Sequence, residues 1–208
     1  MAFYVRPLAM RHFMTQSKFI ITVLAMLAVI ASSHAADTNH PVVAIYNSDW
    51  GLFSTNPEPA VITAVWADGR IVWSGTNGGA PYLQGSFATN KLDALLSSLD
   101  RMGAFTNQSL TQPYFGPDSS FTTIAIDDGR RRLKMASWHE LFEENTNLVA
   151  TAHGIEPLAG RSREWVLQRQ PSEYRSYRST WSEIRQAVTA MIPKEGEPYD
   201  GDIRISTK

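Results

Sequence analysis

The sequence predicts an α+β fold: an antiparallel sheet built from two Asp-Gly hairpins, with helices packed on one face. Two observations concern turns. Asp68-Gly69 separates the apolar runs 61–66 and 71–73, and Asp128-Gly129 separates 121–126 from 131–136. Asp-Gly between β-forming runs is a strong hairpin signal, because glycine adopts the positive φ of a tight turn without steric cost. The third observation is helical spacing of apolar residues, at Leu92, Leu95, Leu96, Leu99 and Met102, and again at Tyr174, Tyr177, Trp181, Ile184, Val188 and Met191. Strands joined by tight turns do not suit a doubly wound parallel sheet, which needs helical crossovers.

Each element has its own warrant. Residues 42–46 form a short apolar run that reads as a first strand, and 48–59, rich in Asn, Asp, Gly and Pro, reads as a loop. The first hairpin follows over 61–73. Asn90 opens a helix that Gly103 is placed to end. A loop over 106–120 leads to the second hairpin. Ser137 and Glu140 fit a capping box for a helix with Trp138, Leu141 and Phe142 on its apolar side. Residues 149–152 read equally as a continuation of that helix or as a strand. Ser162 caps a short helix before Pro171, and the last helix stops at Pro193. Residues 194–208 read as a polar C-terminal tail.

The N-terminal 35 residues predict export. Arg6, Arg11 and Lys18 precede a 13-residue apolar zone over 19–31, and Ser33, His34 and Ala35 supply a small-x-small cleavage pattern. The apolar zone is too short for a membrane span, which needs about 18 residues or more. The expected organisation is a signal peptide over 1–35, a single α+β domain over 36–193 and the tail. No transmembrane segment remains after signal removal, and Met10 and Met14 are alternative starts. The expected location is periplasmic or secreted. The chain has no cysteine. That excludes a disulfide framework, a thiolate metal site and a cysteine nucleophile, so packing alone holds the fold. Six Trp, seven Tyr and nine Phe supply large buried surfaces for it.

Charge is unevenly spread. Residues 37–128 hold nine acids and only Arg70, Lys91 and Arg101 as cations, whereas 129–192 hold ten cations and seven acids. Neither half carries the dense basic footprint of a nucleic-acid binder.

Residues 42–136 combine a strand, an Asp-Gly hairpin, a Leu-rich helix and a strand carrying Thr122-Thr123 that leads to Asp128-Gly129. In that layout the chain resembles an uncharacterised bacterial secreted domain family of unknown function. The resemblance implies an α+β domain and brings over no catalytic residue. A Cys pair common in the family's first strand has no counterpart here, where Asn47-Ser48-Asp49-Trp50 stand.

Arg130, Arg132 and Lys134 alternate after the second turn, which places them on one side of a strand, with Arg131, Leu133 and Met135 on the other. Three aligned cations suit phosphate or an anionic envelope polymer. The commoner meaning of such a strand is a soluble sheet face, or an edge protected from aggregation by its charges. Arg175, Arg178 and Arg185 either extend that patch or form the solvent face of the last helix. His139 and Glu143, four apart, share one side of a helix and would make two metal ligands, with His153 as a third. The two-His zinc-protease pattern is absent, since Glu143 stands at the second His position, and the plain alternative is a solvated helix face. Asp127-Asp128 pairs two carboxylates, although turn chemistry alone explains them. Trp50, Trp66 and Trp73 offer indoles for sugar stacking or, more often for strand Trp, cross-strand packing.

No nucleophile elbow, phosphate-cradling loop or dinucleotide fingerprint occurs. The sequence therefore predicts no cofactor, no bound metal and no identifiable catalytic residue. It predicts an exported, non-enzymatic binding or structural domain of the cell envelope, whose partner is an envelope protein or an anionic envelope polymer. The alternative is a small hydrolase or metal-dependent enzyme using His139 with Glu143 or His153. Intact mass spectrometry of the native product should show a chain beginning near Ala36; a product still carrying residues 1–31 would contradict the export reading.

Overall fold

In the computed structural model of this chain, residues 40–48, 59–76, 78–114, 121–142 and 147–205 are described. The chain divides into Met1–Asp37 and Thr38–Lys208, and every described residue lies in the second unit. The expected signal peptide, Trp50 and Glu143 lie outside the described residues.

The fold is mixed α+β. Its elements are β1 (Val43–Ser48), β2 (Ala60–Val65), β3 (Arg70–Ser74), β4 (Tyr82–Ser86), α1 (Asn90–Arg101), β5 (Phe121–Asp127), β6 (Arg132–Ser137), β7 (Leu148–Thr151), β8 (Gly154–Pro157), α2 (Arg163–Leu167), α3 (Ser172–Thr189) and β9 (Glu197–Tyr199). Seven strands form one sheet in the order β6-β5-β1-β2-β3-β4-β9, while β7 and β8 pair separately. Neighbouring strands run antiparallel throughout both sheets. The sheet is wider than two strand pairs: β1 inserts between β5 and β2, and β4 and β9 extend the far edge.

Register explains the core. Leu133, Ile126, Val43, Val65 and Ile71 align across β6, β5, β1, β2 and β3, and Met135, Ile124, Ile45, Thr63 and Trp73 form the next row. Both rows face the helices, because side chains two apart share a sheet face. From α1 come Leu92, Leu95 and Leu99; from α3 come Tyr177, Trp181, Ile184 and Val188. Gly103, at φ 68°, lets the chain turn sharply out of α1 so that the Ala104 amide donates to Leu99 O at 2.9 Å. Ser98 Oγ donates to Glu183 Oε1 at 2.9 Å, tying the two helices together.

The second sheet face carries a smaller cluster. A bulge between Ile45 and Tyr46 leaves Ile62 without a cross-strand partner and brings Val61 into a cluster with Ala64, Trp66 and Val72. Tyr82, Tyr199, Ile203 and Ile205 pack against this patch. That corrects the expected polar tail. Residues 197–199 form β9 against β4, and the chain beyond them lays two isoleucines on the sheet. The cause is a tertiary fit: Gly196 lies so close to Trp73 that an added Cβ would overlap the indole.

A second correction concerns residues 137–142. Ser137 ends β6 instead of starting a helix, and only a 3-10 turn follows over His139–Phe142. Glu140 does not reach back to the chain. Its Oε1 accepts from Trp181 Nε1 at 2.6 Å and pairs with Arg185 at 2.9 Å.

Gly196→Ala should lower stability by roughly 1–3 kcal/mol through overpacking against Trp73, read as a lower urea midpoint. An unchanged midpoint would show that the C-terminal segment does not depend on this fit.

Candidate functional site

The three cations that the sequence grouped, Arg130, Arg132 and Lys134, are all exposed. On β6, Arg132 and Lys134 are exposed while Leu133 and Met135 are buried, and Arg130 is exposed in the turn. Arg132 Nε pairs with Asp127 Oδ2 at 2.8 Å, its register partner on β5. Arg131 pairs with Asp128 at 2.6 Å and also with Asp100, and its guanidinium lies over the Phe105 ring. Asp128 bonds the amides of Arg130 and Arg131. Burial alone would raise its pKa, but these amides and the Arg131 guanidinium outweigh it and hold the pKa below the usual carboxylate value. Asp127 and Asp128 thus organise the turn and neutralise two arginines.

His139 is buried, with 4% of its surface exposed. Its Nδ1 lies 2.6 Å from Ser137 Oγ, which also accepts from the His139 amide at 3.2 Å. The ring packs edge-on against Trp181 at 4.9 Å and faces Tyr177 at 6.5 Å between centroids. Burial, reinforced by the positive charges of Arg178 and Arg185, lowers its pKa to about 2. A Ser–His pair acts as nucleophile and base only if the imidazole takes up a proton in the transition state. This environment opposes that protonation, and Ser137 is fully buried. The pair locks the end of β6 to the 3-10 turn. Tyr177 lies in the same aromatic layer, and burial drives its phenol pKa well above the ordinary value.

The three histidines are not brought together as ligands. His153 is exposed in the β7–β8 turn, and exposed His40 places Nδ1 3.4 Å from Arg204 O. Among the described residues, no group of three His, Cys, Asp or Glu side chains is arranged to hold a metal. Trp66 and Trp73 are buried, so neither is a platform for a sugar ring.

Another region gathers charge and an open surface. Ser162 caps α2, its Oγ accepting from the Trp165 amide at 3.1 Å. The short helix then presents Trp165 outward, 41% exposed. Arg169 lies 3.7 Å and Arg161 5.2 Å from its ring centroid. Each guanidinium is anchored on carbonyl oxygens: Arg161 on Leu158 and Pro157, Arg169 on Trp165, and Arg175 on Gln168 at 2.8 Å. Among the described residues these three arginines form no ion pair, so their charge is positioned without being neutralised. Beside them a cleft of about 310 Å³ is lined by Glu164, Leu167, Gln168, Tyr174, Arg175 and Arg178. Tyr174 Oη donates to Ala150 O at 3.0 Å and accepts from Arg178 Nη1 at 3.3 Å, which orients that wall.

Sequence reasoning missed Arg161, Trp165 and Arg169. Both arginines flank the short α2 instead of lying in it, so helical spacing did not group them with Trp165. Compared with known protein families and with curated proteins, the chain matches none. Among the described residues no helix is long and apolar enough to cross a membrane.

Folding keeps His139 neutral, whereas the unfolded chain protonates it below the ordinary value of 6.5. The unfolded state then binds the extra proton, so stability present above pH 6.5 is lost as the pH falls towards about 2. This slope is about half its full value at pH 6.5 and approaches about 1.4 kcal/mol per pH unit near pH 5. His139→Asn should remove that slope in denaturant melts, and an unchanged slope would contradict a buried neutral imidazole.

Proposed function

We propose that this chain is an exported, non-enzymatic binding domain of the cell envelope that holds an anionic partner through the α2–α3 surface. The observation carrying this reading is the contrast between two sets of arginines. Near the β5–β6 turn, Arg131 and Arg132 are matched by Asp100, Asp127 and Asp128. Arg161, Arg169 and Arg175 rest on carbonyl oxygens and keep their positive field. An arginine whose plane is already fixed loses less entropy when it grips an anion, and its planar fork matches carboxylate and phosphate. Export rests on the N-terminal sequence pattern, and the anionic envelope polymer expected from sequence is the partner that fits this charge. In this reading Arg130, Arg132 and Lys134 contribute a secondary field, from which Asp127 takes the charge of Arg132. In the same reading the two Asp-Gly turns serve as scaffold, one between β2 and β3 and the other between β5 and β6, with glycine at positive φ and an aspartate side chain accepting from a turn amide.

The alternative enzyme on His139 finds less support. Its imidazole is buried and resists protonation, His153 is on an exposed turn, and Glu143 lies outside the described residues.

The double variant Arg161→Glu/Arg169→Glu should lose retention on an anionic envelope fraction while its circular dichroism matches the parent. Arg132→Glu should retain most binding, and parental retention should weaken as salt is raised towards about 0.5 M, where screening shortens the reach of exposed charge. Retention of the double variant equal to that of the parent would overturn the reading.

A further inference from the structure

We infer that the end of β8, the turn after it and α2 together form a seat for the headgroup layer of an anionic lipid bilayer; the inference rests on the anion-binding reading of the same surface and puts those anions on lipid phosphates. Charge alone suits any polyanion, and the apolar part of this tip is what selects a bilayer. Pro157-Leu158-Ala159-Gly160 carries no charge, and Pro157, Ala159 and Gly160 are exposed. Ala159, at φ 49°, turns the chain tightly, and Arg161 fixes the turn by donating to Leu158 O and Pro157 O. Trp165 then stands outward from α2, whereas Trp66, Trp73, Trp138 and Trp181 are all buried. An exposed indole is well placed at the headgroup level, where its ring meets the acyl boundary and its N–H meets polar groups. A dissolved phosphate chain gives that ring no apolar layer to enter.

The cations accompany the indole. Arg161 and Arg169 lie 5.2 and 3.7 Å from the Trp165 ring centroid, so two guanidinium groups enter wherever the ring enters. A guanidinium is weakly hydrated, and one lying over a π face has already given up part of its water. Its move into the headgroup layer therefore costs less than that of a fully hydrated ammonium. Arg175 adds a third cation, held by Gln168 O. Arg163 and Arg178 are engaged within the fold, donating to Leu148 O and to Tyr174 Oη, and the contact does not depend on them. The acids of this region, Glu164 and Glu173, are both exposed. Set against Arg161, Arg169 and Arg175, they leave the surface positive. One indole and a small net charge fall short of the two strong signals that stable anchoring takes, so the contact is reversible and sensitive to salt.

The test uses the full exported chain with vesicles of phosphatidylcholine and phosphatidylglycerol in equal parts, and vesicles of phosphatidylcholine alone as comparator. Co-sedimentation reads the contact, and quenching of tryptophan fluorescence by lipids brominated on their acyl chains reads insertion of the ring. The mixed vesicles should bind the chain about tenfold or more tighter than phosphatidylcholine alone. Trp165→Ser should weaken that binding about tenfold and abolish the quenching, with an unchanged thermal midpoint. Trp165→Leu, which keeps apolar bulk in case the serine variant does not fold, should sediment like the parent and show no quenching. Equal binding to both kinds of vesicle, or parental quenching in either Trp165 variant, would overturn the inference. A chain held by a delipidated envelope fraction through Arg161 and Arg169, but not by the mixed vesicles, would identify a polymer, sink this inference and leave the proposed function standing. A chain that binds the mixed vesicles but whose Arg161→Glu/Arg169→Glu variant stays on the envelope fraction would sink the proposed function and leave the bilayer contact.

Discussion

Burial of one stripe of α3 is the constraint on which the rest of the molecule depends. Tyr174, Tyr177, Trp181, Ile184 and Val188 all point inward. Tyr114, from the loop before β5, meets Tyr174 and Tyr177 edge-on at 4.9 and 4.7 Å between centroids. Aromatic pairs prefer such geometry because the positive ring edge meets the negative face. Trp181 packs on His139 and donates to Glu140, so the helix also clamps the turn after β6. In a chain without disulfides, this interlocked layer takes the place of covalent staples.

That constraint has a consequence on the other side of the helix. Once the aromatic stripe faces the sheet, Arg175 is left exposed and Arg178 half-exposed. Tyr174 links the two sides, with its ring in the core layer and its hydroxyl bonded to β7 and to Arg178. The small sheet of β7 and β8 is thereby coupled to the wall of the cleft. A surface whose cations are held by carbonyl oxygens differs physically from one whose cations are held by carboxylates. The first keeps an outward field; the second cancels most of it at close range.

The same distinction limits the catalytic reading of His139. A general base needs a proton affinity near the working pH. Burial and two neighbouring arginines move this imidazole far from that range. The Ser137–His139 contact has the residue types of a catalytic pair, and its surroundings make it a structural lock.

Much of the architecture was legible from local pattern. The Leu92–Leu95–Leu99 stripe and the α3 aromatics follow helical spacing, and the α2 cap at Ser162 follows from hydroxyl chemistry. The Asp127–Arg132 pair was also readable, since the two flank a short turn. The edge strands were not. Gln84-Gly85-Ser86 and Glu197-Pro198 have no β signature, and they pair because Gly85 and Gly196 let Pro193 and Trp73 approach closely. By itself, then, the sequence determined the α+β class, the helices α1 and α3 with their inward faces, and the cysteine-free reliance on packing, because each depends on composition or on spacing within one element. Only the tertiary structure decided that β1 lies between the two turn-linked pairs, that the C-terminal segment closes the second face, and that Arg161, Arg169 and Arg175 keep their charge while Arg131 and Arg132 are matched. Those outcomes depend on which residues meet across long stretches of chain, and local spacing carries no information about such meetings.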